Sequence, residues 1–147
     1  ANILFSFNKT NSRKMIQHKI ELRVRYGETD QMGFCYYGNY AQYLEVARVE
    51  TLRFQGINYK ELEEKGILLP VRNLSVRYVS PAKYDDLLSI KTIIKKLEGS
   101  RIVFTYQIRR DEQLIATAET ELVFVSSKNF KPVKMPESFQ FLIDNLS

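Results

Sequence analysis

The sequence has no tryptophan, one cysteine, one histidine, four prolines and six glycines in 147 residues. A single cysteine, Cys35, cannot close an internal disulfide and fits a reducing compartment, so a cytoplasmic location is expected. A single histidine, His18, cannot build a His-rich metal centre, and no cysteine stands at ligand spacing from it, so no metal is expected. His18 reads instead as a surface residue near the start of a strand. No apolar run approaches the ~20 residues that span a bilayer, and no membrane insertion is expected. The sequence also lacks internal repeats, low-complexity tracts and linkers, which leaves one domain.

What is present is ordinary for a globular chain: 44% hydrophobic and 27% charged residues, with a net charge of +5. The length suits a single domain with a substantial core. The positive charge suits an anionic partner, but it is scattered through strands and turns. There is no dense basic cluster and no nucleic-acid signature, so no nucleic-acid binding is expected. Asn8 to Lys14 is polar and no basic region precedes Ile3, Leu4 and Phe5, so a secretory signal peptide is not expected, and residues 1–14 read as a disordered leader or an added remnant. The domain then spans residues 15–147, with Met15 as a candidate natural start.

Along the chain, Ile20, Leu22, Val24 and Tyr26 alternate with charged residues and predict a half-buried strand. From about Tyr37 to Phe54 the period becomes helical, with Tyr40, Tyr43, Leu44, Ala47, Thr51 and Phe54 on one stripe. Glu45 and Arg48 are spaced to pair on that helix, as are Glu50 and Arg53. Asn58 and Glu61 suit the cap of a short helix ending near Lys65 and Gly66. Leu74, Val76 and Tyr78 then alternate, followed by three runs around residues 88–95, 102–108 and 115–125 separated by short turns. Such runs predict an antiparallel meander. Pro136 and Glu137 open a last short helix using Phe139, Leu142 and Ile143. One long helix and about five strands make an α+β fold, with the sheet wrapped around the helix.

The chemistry gathers between the first strand and the long helix, in Tyr26-Gly-Glu-Thr-Asp30-Gln-Met-Gly33-Phe-Cys-Tyr36-Tyr37-Gly38-Asn-Tyr40. A carboxylate such as Asp30 can attack a carbonyl, or activate water against it, where the free N–H groups of a helix start polarise the carbonyl oxygen. The competing reading of Asp30 is a solvated loop aspartate or an Asx turn. Gly33 supplies a backbone conformation closed to other residues, or close approach of a substrate. Tyr36, Tyr40 and Tyr43 either line a pocket or pack in the core. Cys35 lacks a neighbouring base and is not expected to be a nucleophile.

The pattern Asp30-x-x-Gly33-x-x-Tyr36-x-x-x-Tyr40, followed by Glu45-x-x-Arg48, resembles the opening of the 4-hydroxybenzoyl-CoA thioesterase family of hotdog-fold proteins. Pro81-Ala82-Lys83-Tyr84-Asp85-Asp86 is similar to that family's Pro-Ala-x-Tyr-x-Asp turn, and the order of elements agrees from about Ile16 to Pro136. The resemblance implies an acyl-CoA thioesterase with the catalytic carboxylate at Asp30. It implies an oxyanion site at the backbone N–H of Tyr37, with Gly38 beside it. Substrate-binding roles then fall to Gly33, Tyr36 and Tyr40, and CoA-phosphate contacts to Lys95, Lys96 and Arg101. Many relatives carry histidine where Tyr37 stands; a backbone donor survives that change, whereas any role of the imidazole does not. The resemblance further implies homodimers with a continuous sheet or dimers of dimers, and no metal or organic cofactor. Hydrolysis of acyl groups from acyl carrier protein is the neighbouring alternative, and a non-catalytic acyl-CoA binder the alternative from another class. A hotdog dehydratase would need a histidine that the loop and helix do not contain.

Overall fold

The computed structural model describes residues 16–146. Residues 1–14 and Met15, read above as a leader and a candidate start, lie outside that span. The alternating runs form β1 (Ile16–Arg23), β3 (Val71–Tyr78), β4 (Leu87–Glu98), β5 (Arg101–Arg110) and β6 (Gln113–Val123). They make one antiparallel sheet in the order β1-β4-β5-β6-β3, with the expected meander at its centre. Two-residue strands β2 (Ile67–Leu68) and β7 (Val125–Ser126) pair separately and are too short to show a period in the sequence.

Period two decides the inner face. Ile90, Thr92 and Ile94 of β4 sit opposite Ile108, Tyr106 and Phe104 of β5, and all six are buried. Each fully buried Ile or Phe contributes about 1.5–3 kcal/mol, which makes this layer the main source of stability. Helix α1 (Tyr40–Phe54), entered through a 3-10 turn at Tyr37–Asn39, lies across that face against β1 and β4. Its stripe of Tyr40, Tyr43, Leu44, Ala47 and Thr51 is buried as the spacing predicts. Helix α2 (Tyr59–Glu64) starts where Asn58 accepts the Lys60 N–H at 2.8 Å. Helix α3 (Gln140–Leu146) follows a 3-10 turn that buries Phe139 edge-on against Phe124.

Four expectations need correction. Strand β1 stops at Arg23, and Tyr26 begins a 3-10 turn with its ring exposed. Phe54 leaves the buried stripe to stack on His18 at 4.5 Å between ring centres, while Leu52 takes the interior place. Glu50 and Arg53 pair at 3.1 Å, but Glu45 and Arg48 do not, because Arg48 turns inward and is buried while Glu45 stays in solvent. His18 is accordingly half-covered by Phe54 rather than free at the surface.

The helix covers one side of the sheet and leaves the edge strand β3 open. Leu74 and Tyr78 align with the core-facing Thr120 and Ala116 of β6, yet remain 43% and 49% exposed. A strip of apolar sheet therefore lies uncovered beside α1.

Candidate active site

Asp30 sits in a loop closed by a β-bridge between Thr29 and Cys35. Its own N–H donates to the Phe34 carbonyl at 2.8 Å, and the Gly33 N–H donates back to the Asp30 carbonyl at 3.0 Å. Gly33 has φ +82°, with nothing near the position a side chain would take, so glycine is required there by the backbone conformation and not by close contact. The Asp30 carboxylate divides its labour. Oδ1 accepts the Met32 and Phe34 N–H groups at 3.0 and 3.2 Å, an Asx-type arrangement that fixes the side chain. Oδ2 accepts no hydrogen bond among the described residues.

The Pro81–Asp86 turn holds this loop in place. Cys35 N–H donates to the Ala82 carbonyl at 2.7 Å, Phe34 bridges to Lys83, and Val24 exchanges backbone bonds with Asp85 and Asp86. The turn is itself tied by Asp86, whose carboxylate accepts the Lys83 N–H at 2.8 Å and the Arg110 guanidinium at 2.7 Å. Partial burial would raise the Asp86 pKa, but these bonds and the Arg110 charge outweigh it and hold the carboxyl below its ordinary value.

On the other side the loop is fastened to the helix by Glu28, which sequence reasoning passed over. Its carbonyl accepts the Tyr36 N–H and the Asn39 side-chain amide, both at 2.8 Å. Its buried carboxylate accepts the Arg25 N–H and the Tyr43 hydroxyl, each at 2.8 Å, and pairs with the Arg25 guanidinium at 3.1 Å. Burial pushes the Glu28 pKa up, but these donors more than offset it and leave the carboxyl below its ordinary value. The Tyr43 phenol is pushed well up by burial and by its bonds to Cys35 and Glu28, so it stays protonated as a donor. The one cue in the sequence was a second acid two residues before Asp30.

The helix start is arranged to receive a negative charge. Tyr36 caps it through its carbonyl, which accepts the Asn39 N–H at 2.9 Å. Among the described residues no carbonyl accepts the N–H groups of Tyr37 and Gly38, the first two of the turn. Asp30, Tyr37 and Tyr40 line a common cleft of about 300 Å³ together with Met32, Cys35 and Tyr78. A second cleft of about 840 Å³, on the other side of Asp30, is lined by Gly33, Tyr36, Asn39 and Tyr84.

Aromatic rings wall the smaller cleft. Tyr78 meets Tyr40 edge-on at 5.3 Å and Tyr37 at 6.3 Å, and donates its hydroxyl to the Tyr37 carbonyl at 3.4 Å. Tyr40 is buried against that cleft and Tyr37 is exposed, with its ring 4.8 Å from that of Tyr36, which lines the larger cleft. Cys35 also faces this space, but burial raises its thiol pKa, with the nearby acid charges acting in the same direction, so it is a weak nucleophile. Tyr78 was legible only as a strand residue, since nothing in its local pattern points toward a helix forty residues earlier.

The fold thus brings Asp30, Gly33, Tyr36, Tyr37, Gly38 and Tyr40 together. It does not bring Lys95, Lys96 and Arg101 to them within one chain. The Asp30 loop lies by the turn before β4, and these cations lie toward its other end, roughly 25–35 Å away at ~3.3 Å per residue. There they pair with acids: Lys95 with Glu119 at 3.0 Å, Lys96 with Glu98 at 3.3 Å and Arg101 with Glu121 at 3.7 Å. Among the described residues no cluster of His, Cys, Asp and Glu could hold a metal ion, and no helix is long and apolar enough to cross a membrane.

An antiparallel five-stranded sheet packed on one long helix, with Asp30 and Tyr37 lining a cleft at the helix start, is the architecture of a hotdog-fold thioester hydrolase. The sequence profile of the Thioesterase-like superfamily matches residues 24–141, and the chain belongs to that family. It is 36% identical over 118 residues to the acyl-CoA thioester hydrolase YbgC of Escherichia coli, covering 80% of this chain and 88% of that one. The solved DHNA-CoA thioesterase of Staphylococcus aureus is 35% identical and superposes with a TM-score of 0.83 over 89% of both chains. A 4-hydroxybenzoyl CoA thioesterase complexed with 4-hydroxybenzoyl CoA shares the fold, with a TM-score of 0.79 over 90% of this chain and 99% of that one at 23% identity.

Proposed function

We propose that this thioester hydrolase acts on acyl-CoA, with Asp30 as its catalytic carboxylate. The observation that carries the reading is the split state of that side chain: Oδ1 is pinned by two backbone N–H groups, while Oδ2 accepts no hydrogen bond among the described residues, and Asp30 lines a cleft shared with Tyr37 at the helix start. Oδ2 attacks the thioester carbonyl, or takes a proton from the water that does. The carbonyl oxygen gains negative charge as the new bond forms, and the Tyr37 N–H, with Gly38 beside it, stabilises that charge. A donor of this kind contributes about 3 kcal/mol. On the nucleophilic route the C–S bond breaks to leave an acyl–Asp30 anhydride and CoA thiolate, and water then cleaves the anhydride to the carboxylic acid and frees Asp30. On the general-base route the C–S bond breaks as Asp30 returns the proton taken from water to the departing thiolate. Neither step calls on a metal or an organic cofactor.

The aromatic cleft with Tyr37, Tyr40 and Tyr78 takes the acyl group, and the broader cleft beside Gly33 and Tyr36 takes the thiol arm. Lys95, Lys96 and Arg101 serve CoA phosphates only if they come from a second copy, which fits a homodimer or a dimer of dimers in the cytoplasm. Asp30→Asn preserves size and removes charge, and is expected to lower turnover at least a hundredfold while leaving the fold intact. Thiol release measured with a trapping reagent, alongside circular dichroism, reads both. Wild-type turnover in the variant would overturn the assignment of Asp30.

A further inference from the structure

Arg48 is the one buried cation of the described residues, 8% exposed, and no carboxylate lies within salt-bridge distance of it. Its Nε is enclosed and has no hydrogen-bond acceptor among those residues. The guanidinium lies within hydrogen-bonding reach of the phenols of Tyr59 and Tyr106, and burial pushes the Tyr59 pKa up to about 12 against the pull of the Arg48 charge, so these rings offer neutral acceptors and not a counter-charge. Burying a guanidinium without an anion is costly, and a buried N–H donor without an acceptor adds to that cost.

The same side chain lines a cavity of about 400 Å³, walled by Val49, Tyr59, Leu68, Leu69 and Pro70. Glu45 and Glu63 border it too, but both are exposed at its rim. The cavity lies beside the same helix and the same edge of the sheet as the cleft at Asp30. That cleft meets Tyr78 at the end of β3, and this cavity meets Pro70 just before its start. From Gly38 to Arg48 is roughly 15 Å along the helix at ~1.5 Å per residue, and a helical side chain leans back toward the N-terminus.

We propose that the cavity at Arg48 is a carboxylate site, in which a ligand carboxylate accepts from the guanidinium against the apolar wall of Val49, Leu68, Leu69 and Pro70, with Glu45 and Glu63 kept to the exposed rim. Two sources carry this chemistry: the far end of an acyl group whose thioester lies at Asp30, or a separate carboxylic acid such as the released product. The first source rests on the acyl-CoA reading above; the second does not.

The test has two arms. Calorimetric titration of the wild-type protein with medium-chain carboxylates and their methyl esters needs no turnover. The carboxylate is expected to bind about tenfold or more tightly than the ester, as a charge-assisted bond would give. In the second arm, kcat/KM is measured for methyl-ended acyl-CoA substrates and for ω-carboxy analogues of the same length. A preference for the ω-carboxy chains that is lost in Arg48→Met assigns the site to the acyl end. Tight binding of free carboxylate with no such preference assigns it to a separate acid.

Glu45→Gln, at the exposed rim, guards against an Arg48 variant that fails to fold: removing that negative charge should tighten carboxylate binding two- to threefold, in the direction of lost like-charge repulsion. Equal affinity for carboxylate and ester in both proteins, with no ω-carboxy preference, would overturn the proposal and leave the cavity to water. Loss of all acyl-CoA turnover with carboxylate binding intact would overturn the acyl-CoA reading alone.

Discussion

At the scale of single residues, the site depends on side chains that do one thing with one atom. Asp30 uses Oδ1 for structure and has no hydrogen bond to Oδ2 among the described residues, so an Asx turn is compatible with the catalytic role proposed for it. Gly38 shows a second constraint. A Cβ there would come within 2.6 Å of the Tyr36 ring, which already leans on Tyr37 at 4.8 Å. The exposed ring can move, so Gly38→Ala is expected to fold normally while displacing Tyr36 from its place in the larger cleft. Steady-state kinetics should show kcat/KM lower by about tenfold, since misplacement on the order of 1 Å costs that much or more. An unchanged value would mean that the position of Tyr36 does not matter to turnover.

At the scale of elements, the decisive junction is the one between the Asp30 loop and α1. Glu28 binds both sides of it, through its carbonyl to Tyr36 and Asn39 and through its carboxylate to Arg25 and Tyr43. Its folded pKa is depressed below the ordinary value of 4.5. The stabilisation is therefore fully present above the unfolded value and is lost as pH falls through the lower folded one. Asp86, also depressed but from an ordinary value of 3.8, acts in the same direction at lower pH on the turn that holds the loop from the other side. Denaturant titrations from neutral to acid pH should show stability declining below about 4.5. Glu28→Ala should remove about 1–3 kcal/mol at neutral pH by stranding the Tyr43 hydroxyl, and should flatten the acid decline. A variant as stable as wild type, with the same acid limb, would show that the junction is held by other bonds.

At the scale of the whole molecule, the sheet is left unfinished along β3. Leu74 and Tyr78 face the core side of an edge strand that α1 does not cover, and an open edge with apolar residues is a template for pairing. Self-association along this edge is expected, and it would bring a second set of Lys95, Lys96 and Arg101 into play. Size-exclusion chromatography with light scattering should give two or four times the chain mass of 17.3 kDa. Leu74→Asp, which places a charge on the uncovered strip, should shift the mass toward the single chain. A monomeric wild type at micromolar concentration would remove these three cations from the proposed site.

The sequence by itself determined the long strands, the helices and most of their inner faces, because periods of two and of three to four residues are local and each buried side chain marks one of them. It also placed Asp30, Gly33 and the first residues of α1 together, since they are close in the chain. Only the tertiary structure could bring Tyr78 to Tyr37 and Tyr40, turn Arg48 inward away from Glu45, draw Phe54 out to His18, and separate Lys95 and Arg101 from Asp30. These are decided by strand order and by which side of the sheet a helix covers, and no local spacing encodes either.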